Sequence, residues 1–441
     1  MLNIKLIRDT PEIVKEDLRK RNDNEKLKWV DQLIKKDKEW RQLQYNVQDL
    51  KKEKNNLSME VSKAKKAKKD PAELLKKIPA IDKKIENIEQ NQLKLKQEID
   101  DYLMRLPNIL HASVPQGKDD EENQDVEFHG KKPTFNFKPK SHVDIIEKLG
   151  IADTENAAKI AGSRFYFLRG DLALLDMALQ RYGVDFILRK GYVLTYPPFM
   201  MNRKAYEGVT DLGDFESVMY KIEGEDLYLI ATSEHPLTAQ FMDQIIEDKN
   251  YPCFPAKPIK LAGISACFRK EAGSHGKDTK GIFRVHQFTK VEQIIICKPE
   301  DSWKLHEEIL NNAKEFFETL GLHFRVMNIC TGDIGTVAAK KYDIEVWMPA
   351  QEKYREVVSC SNCTDYQARR LNIKYRSTEK DEKTGKTKEI KVIPHTLNST
   401  LVATGRAMVA ILENFQDKDG NVHIPKILQP YMNGKKMIKK V

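Results

Sequence analysis

Between residues 26 and 106 apolar side chains recur at alternating intervals of three and four, the period of a helix that hides one narrow stripe. One seam runs Trp29, Leu33, Trp40, Leu43, Val47, Leu50, Leu57, Val61 and Ala64, interrupted by Lys26, Lys36 and Lys54. A second runs Leu74, Ile78, Ile81, Ile85, Ile88, Leu95, Ile99 and Tyr102, broken by Gln92. Between them, Asp70 is placed to cap a new helix, Pro71 suits its first position and Glu73 sits at N3. Long helices joined by so short a turn fold back antiparallel. About 40 residues at ~1.5 Å each predict a coiled-coil arm of roughly 60 Å, far more than core packing requires.

From residue 142 the period changes. Helix-like stretches such as LALLDMALQRYGVDFILRKG alternate with short β-rich runs: YLIATSE, ISACFRKE, FRVHQFTKVEQIII, YDIEVWMP and YREVVSCS. This pattern predicts an α+β domain with an antiparallel β-sheet flanked by helices. Pro107 to Ser141 is irregular and rich in Pro, Gly and charge. The expected organisation is an N-terminal unit over 1–110 with the arm at 26–106, a linker over 111–141 and an α+β domain over 142–441. The Lys/Glu-rich stretch Thr378 to Lys391 reads as an exposed hairpin loop around Thr384-Gly385.

Charge sharpens this picture. The 441 residues carry a net charge of +9, and residues 26–100 hold 20 Lys/Arg against 13 Asp/Glu. Most of the excess therefore sits on the arm, which favours nucleic acid over a small acidic ligand. Its tip bears Lys51, Lys52, Lys54, Lys63, Lys65, Lys66, Lys68 and Lys69. A solvated face and a phosphate-binding surface both fit that run. The start, MLNIKLIRDTPEIVKED, lacks the apolar core of a signal peptide, and no run approaches the ~18 apolar residues of a membrane helix. A cytoplasmic protein with no membrane partner is expected. Of six cysteines only Cys360 and Cys363 are close, half a zinc site at best, so no zinc is expected. No P-loop, dinucleotide fingerprint or G-x-S-x-G is present, and Arg169-Gly170-Asp171 and Cys330-Thr331-Gly332 read as chance matches.

Four constellations could carry chemistry. In strands, residues two apart share a face. That rule sets Arg269 with Glu271, and Arg284, His286, Phe288, Lys290 and Glu292 in a second one-sided row. Such rows can pair with phosphate, stack on a base and hold an ammonium group, or can be an ordinary surface hairpin. Thr232 and Glu234 lie two apart at a strand end closed by Pro236. Glu356 to Ser359 could serve Mg²⁺ or an adenosine edge, or hold a structural carboxylate. Asn398 to Thr400 lead into an amphipathic helix packed by Met408, Val409, Ile411 and Leu412, on which Arg406 is expected exposed, either free to reach a phosphate or a plain surface arginine.

Taken together, these residues resemble the class II aminoacyl-tRNA synthetases, and within them the seryl-tRNA synthetases. GYVLTYPP (Gly191 to Pro198) is similar to class motif 1, FRKEAGSHGKDTKGIFRVHQFTKVEQ to motif 2 and LNSTLVATGRAMVAILEN to motif 3. The TSE element, EVVSCSNCTDYQARR and the opening MLNIKLIRDTPEIV resemble the seryl branch, in its common form without an active-site zinc. The resemblance implies activation of L-serine with ATP and transfer to tRNA(Ser), with tRNA(Sec) a second candidate, by a homodimer. It implies that Arg269 grips the α-phosphate, with Lys270 and Glu271 beside the adenine. Arg284 and Arg406 take the outer phosphates of a bent ATP. Phe288 stacks on adenine, framed by Val285, His286 and Gln287. Glu356 and Ser359, with Val357 and Val358 between them, hold Mg²⁺ and the nucleotide. Thr232, Glu234, Arg269, Glu292, Asn398 and Thr400 surround serine. His275 and Lys277 in the motif 2 loop, and Thr289, depart from the common pattern.

Overall fold

The computed structural model describes residues 1–247, 251, 253–271, 280–380 and 387–440. His275, Lys277 and the Thr384-Gly385 turn lie outside the described residues. The chain divides into two compact units, Met1–Ile109 and Leu110–Val441.

In the first unit two short helices, α1 (Ile4–Asp9) and α2 (Pro11–Lys20), lead into the long α3 (Asn24–Lys66) and α4 (Ala72–Arg105). Asp23 caps α3 by accepting the Lys26 N–H at 3.0 Å. The Asp70 carboxylate accepts the Ala72 N–H at 2.9 Å, so α4 begins one residue later than expected and Pro71 stands at its cap. Inside α4, Pro79 has no N–H to offer the Leu75 carbonyl one turn back.

Burial follows both seams: Leu33, Val47 and Val61 on α3, and Ile81, Ile85 and Ile99 on α4, are buried. Val47, Ile81 and Ile85 form one cluster with Leu50, Leu57 and Ile88 packed on it. Val30 and Asp37 are buried on α3 but lie off the seam. Asp37 accepts Arg8 of α1 through both carboxylate oxygens at 2.8 and 2.6 Å, and Arg41 at 3.0 Å. Two tip lysines pair across the hairpin, Lys51 with Glu89 at 2.7 Å and Lys54 with Asp82 at 2.6 Å. Among the described residues, Lys52, Lys63, Lys65, Lys66, Lys68 and Lys69 form no ion pair.

The second unit is built on an eight-stranded sheet. Its strands are β1 (Gln124–His129), β2 (Val193–Thr195), β3 (Ile259–Phe268), β4 (Gln287–Cys297), β5 (Phe324–Asn328), β6 (Lys340–Met348), β7 (Lys353–Asn362) and β8 (His395–Ala403). Their spatial order is β1-β5-β6-β7-β8-β4-β3-β2, antiparallel throughout except for the short parallel pair β2/β3. Fold class and sheet type agree with the sequence pattern.

Strand β4 shows how this sheet makes a site. Val291, Ile295 and Cys297 enter the main core with helices Gly170–Arg189, Ser302–Thr319 and Thr404–Asn414. On the opposite face, Ile294 and Ile296 join a second apolar cluster with Leu237, Phe241 and Tyr206. That face turns polar further along, at Glu292 and Lys290, and there it lines a cavity.

Residues 111–141, expected as a linker, belong to the second unit. Its β1 pairs with β5, and the stretch before it clasps the loop after β5. His111 N–H donates to the Ala339 carbonyl at 2.9 Å, Thr331 N–H to the Pro115 carbonyl at 3.0 Å and Thr331 Oγ1 to the Gly117 carbonyl at 2.9 Å. A Cβ on Gly332 would lie 2.1 Å from the Lys118 carbonyl oxygen, so only glycine permits this approach. The polar composition concealed these contacts because backbone groups make most of them. Within the 378–391 region, residues 378–380 and 387–391 belong to strands Lys374–Lys380 and Thr387–Val392, which pair antiparallel. No helix among the described residues is long and apolar enough to cross a membrane.

Candidate active site

A cavity of about 430 Å³ opens on the polar face of β4, β7 and β8. From β4, regular alternation delivers Phe288, Lys290 and Glu292. On β7 alternation alone cannot explain the lining, because Glu356 and Ser359 are an odd number of residues apart. The register with β6 shifts between Ile344 and Glu345, leaving Val357 as an extra residue. That bulge turns Glu356 to the face that already carries Ser359 and Ser361. A second shift, between Thr400 and Val402 on β8, does the same for Ala403 after Asn398 and Thr400.

Thr232, Ser233 and Glu234 arrive from a turn that opens the helix Glu234–Ala239. This turn lies close to the sheet because Gly263, opposite Glu292 in the register, has no side chain. A Cβ there would stand 2.5 Å from Ser233 Oγ. The wall is completed by Val209, Thr210 and Asp211 and by the loop Ile334–Ala338.

Two charged networks line the cavity. In the first, Glu292 forms an ion pair with Lys290 and accepts the Thr232 hydroxyl at 3.4 Å. Glu234 Oε1 accepts Asn398 Nδ2 at 3.0 Å and Gln367 Nε2 at 2.9 Å. Burial and the nearby Glu292 push the Glu234 carboxyl up to about 7, against the opposing pull of Lys290, the Gln367 bond and Arg269. In the second network, Arg406 donates to the Glu356 backbone carbonyl at 3.1 Å and pairs with its carboxylate at 3.1 Å. Burial works to raise the Glu356 carboxyl, but Arg406, Lys341 and Arg269 outweigh it and hold it below the usual range. The Arg269 guanidinium sits 5.5 Å from the Phe288 ring centre.

A second cavity, of about 670 Å³, shares Glu356 and Arg406 with the first and adds Arg284, Lys341, Asp343 and Arg355. Arg269, Glu292 and Arg406 thus line one cavity, and Arg284 lines its neighbour.

Other expected residues stand elsewhere. Strand β3 ends at Phe268, and Glu271 adopts a left-handed backbone with φ +49°, so it does not share the face of Arg269 through strand alternation. Its carboxylate pairs with Arg284 at 3.0 Å. Arg284 and His286 precede β4, which breaks the expected five-residue row. His286 Nδ1 lies 2.8 Å from the Arg269 carbonyl, and its ring packs 5.1 Å from Phe165. Lys270 and Gln287 are exposed, while Val285 and Val358 are buried away from the cavity lining. Arg406, expected free and exposed, is 22% exposed and paired with Glu356. Lys290, placed in the sequence row without a role of its own, lines the cavity, and so do Asp211, Cys363 and the Ile334–Ala338 loop, which the sequence pattern did not place there. The Gly/Ala-rich run GDIGTVAA was the one available signal for that loop.

Comparison with known proteins gives this geometry a family. Residues 218–415 match the tRNA synthetase class II core domain (G, H, P, S and T), and residues 1–110 match the Seryl-tRNA synthetase N-terminal domain. The Serine--tRNA ligase of Methanocella arvoryzae is 56% identical over 434 residues, 98% of this chain and 99% of that protein. The chain belongs to the seryl-tRNA synthetases. Among solved seryl-tRNA synthetases, that of Pyrococcus horikoshii complexed with ATP is 49% identical, with a TM-score of 0.91 over 100% of both chains. The cytoplasmic Serine-tRNA ligase of Naegleria fowleri in complex with AMP is 37% identical, with a TM-score of 0.86 over 100% of this chain and 99% of that one. The eight-stranded sheet is accordingly the class II synthetase core, and the α3/α4 hairpin is the family's helical arm.

Proposed function

We propose that the cavity holds serine and a bent ATP together, joins the serine carboxylate to the α-phosphorus as diphosphate leaves, and passes the seryl group from the adenylate to a 3′-terminal hydroxyl of tRNA(Ser) with release of AMP. The observation that carries this reading is the convergence of Arg269, Glu292, Glu356 and Arg406, distant in sequence, on one cavity. Serine's carboxylate is already a nucleophile, so the step needs no general base. In-line attack concentrates negative charge on the α-phosphoryl oxygens, and Arg269 answers it. Phe288 offers a face to adenine, with Lys270, Glu271, Val285, His286 and Gln287 around that edge. Arg284 and Arg406 take the outer phosphates. Each now holds a carboxylate, Glu271 and Glu356 respectively, so nucleotide binding exchanges one anionic partner for another.

Glu356 and Ser359 would hold Mg²⁺, being hard oxygen donors on one face with the carboxylate kept anionic. Bound there, the ion would offset phosphate charge. Thr232, Glu234, Glu292, Asn398 and Thr400 surround serine's ammonium and hydroxyl. Alanine would leave those polar groups unpaired, a discrimination of ~10⁴ or more in sites of this design. Threonine is excluded by volume.

The α3/α4 arm grips tRNA(Ser), and as a second substrate tRNA(Sec), through backbone phosphates and shape. A homodimer forms through the Gly191 to Pro198 segment, where Val193, Leu194 and Tyr196 are exposed at the edge strand β2. The enzyme works in the cytoplasm.

ATP–pyrophosphate exchange with each amino acid tests the reading. Exchange with serine alone is expected, and Glu292→Ala abolishes it while the fold persists. Threonine-driven exchange would point to another class II specificity, and near-normal exchange in Glu292→Ala would remove that residue from the site.

A further inference from the structure

We propose that Gln367 is a positioning residue for serine recognition: its buried amide fixes Glu234 by one carboxylate oxygen and leaves the other for the substrate. This rests on Glu234 lying in the serine site. Gln367 sits in the short helix Tyr366–Arg370, is fully buried and is not part of the cavity lining. Substrate therefore does not touch it, and any effect must pass through a neighbour.

Its hydrogen bonds leave little freedom. Nε2 donates to Glu234 Oε1 at 2.9 Å and to the Val209 carbonyl at 3.0 Å. The Val209 carbonyl can only accept, so it fixes which way the amide faces, and Oε1 then accepts the Thr396 hydroxyl at 2.7 Å. Asn398 donates to the same carboxylate oxygen at 3.0 Å. Among the described residues no hydrogen bond reaches Glu234 Oε2. Glu234 is therefore held by one oxygen from behind, by two neutral donors, while the carboxylate still lines the cavity. Val209 lines it too, so one side chain ties a piece of wall to the carboxylate.

Neutral donors matter here because a cation in the same place would compete with the substrate ammonium. The charged and titratable groups around Glu234 are Glu292 and Lys290 on β4, Arg269 after β3, Asp211, His235, Cys363 and the buried Tyr206. Burial and Glu292 favour the neutral acid, whereas the Gln367 bond favours the anion. Loss of that amide raises the pH at which Glu234 becomes an ammonium acceptor and loosens its aim.

The test is serine-dependent ATP–pyrophosphate exchange between pH 6 and 9 with the full chain and its Gln367→Met, Thr396→Val and Glu234→Gln variants. Gln367→Met keeps the volume and removes the donor. It should raise the serine KM roughly 10- to 100-fold, the worth of a hydrogen bond to a charged group, with kcat at saturating serine and the ATP KM little changed. The pH midpoint of the serine KM should move in the alkaline direction. Thr396→Val, which keeps the amide but removes one of its anchors, should shift KM and midpoint the same way by less. A folded Gln367→Met with the parental serine KM and midpoint, or one losing ATP and serine affinity alike, overturns the proposal in favour of a merely structural role. If Gln367→Met does not fold, an unmoved midpoint in Thr396→Val overturns it equally. Glu234→Gln is the separate control: a parental serine KM there removes Glu234 from the serine site, whatever the Gln367 variant does.

Discussion

Glu234 links stability to function at the scale of one side chain. Its carboxyl is raised from 4.5 to about 7 by burial and by Glu292. Below about pH 4.5 the group is protonated folded or unfolded and contributes nothing to the difference. Between there and 7 the unfolded chain releases its proton while the fold retains one, so stability falls with rising pH and the loss is complete above 7. The shift corresponds to about 3 kcal/mol. Glu234→Gln removes that loss, so the variant should melt above the parent at pH 8 and alongside it near pH 4.5, by calorimetry without ligand. Serine binding has the opposite sign, because its ammonium needs the ionised form. The serine KM of the parent should therefore climb about tenfold per pH unit below 7 and level off above it, and a flat profile from pH 6 to 8 would contradict ionised Glu234 as the acceptor. In the sequence Glu234 was visible as a residue type beside Thr232 at a strand end. Its partners Asn398 and Gln367 lie more than 130 positions away, and no local pattern brings them together. A separation of 50 positions likewise hid the Arg406–Glu356 pair, since a helix pattern places an arginine on a face but does not say what waits there.

At the scale of elements, legibility depended on whether period alone sets the geometry. The arm seams are periodic, and burial follows them where α3 and α4 pack on each other; α3 also meets α1 and α2, and Val30 and Asp37 are buried off the seam. The catalytic strands are periodic too, yet two bulges reverse their facing at Val357 and Leu401. A bulge adds one residue without any composition of its own, so the odd spacing of Glu356 and Ser359 gave no warning that they share a face. In the arm, the seam and the surface pairs should separate cleanly by energy. Ile85→Ala removes buried volume from the Val47–Ile81–Ile85 cluster and should cost about 2 kcal/mol, the low end for a core truncation. Lys54→Ala, which breaks an exposed pair with Asp82, should cost ~0.2–1 kcal/mol. Amide hydrogen exchange along α3 and α4 in the full chain reads both, with roughly 30-fold faster exchange expected for the first. Equal effects would mean that ion pairs, not the apolar stripe, hold the hairpin.

For the whole molecule, the segregation of charge implies that two halves of the reaction answer differently to salt. The proposed serine-activating site works through paired charges, Lys290–Glu292 buried and Arg406–Glu356 half-buried, which solvent ions screen less than fully exposed ones. The arm tip carries Lys52, Lys63, Lys65, Lys66, Lys68 and Lys69 with no carboxylate partner among the described residues, so phosphates would meet them without displacing one. About six such lysine–phosphate pairings weaken binding by up to ~10³-fold between 50 and 200 mM salt. Over that range tRNA affinity and the KM for tRNA in charging should deteriorate steeply, while serine-dependent exchange changes little. Replacing Lys63, Lys65 and Lys66 by Gln should lower the slope of log affinity against log salt by about one for each phosphate that no longer meets a lysine. Their positions in the last turn of α3 make the substitutions tolerable to the fold, since none lies on the seam. Excision of residues 44–92 with a short turn in their place should go further, abolishing charging and sparing exchange. An unchanged salt slope in the triple variant, with charging intact after excision, would place the tRNA-binding surface elsewhere and reduce the arm's lysines to a solvated face.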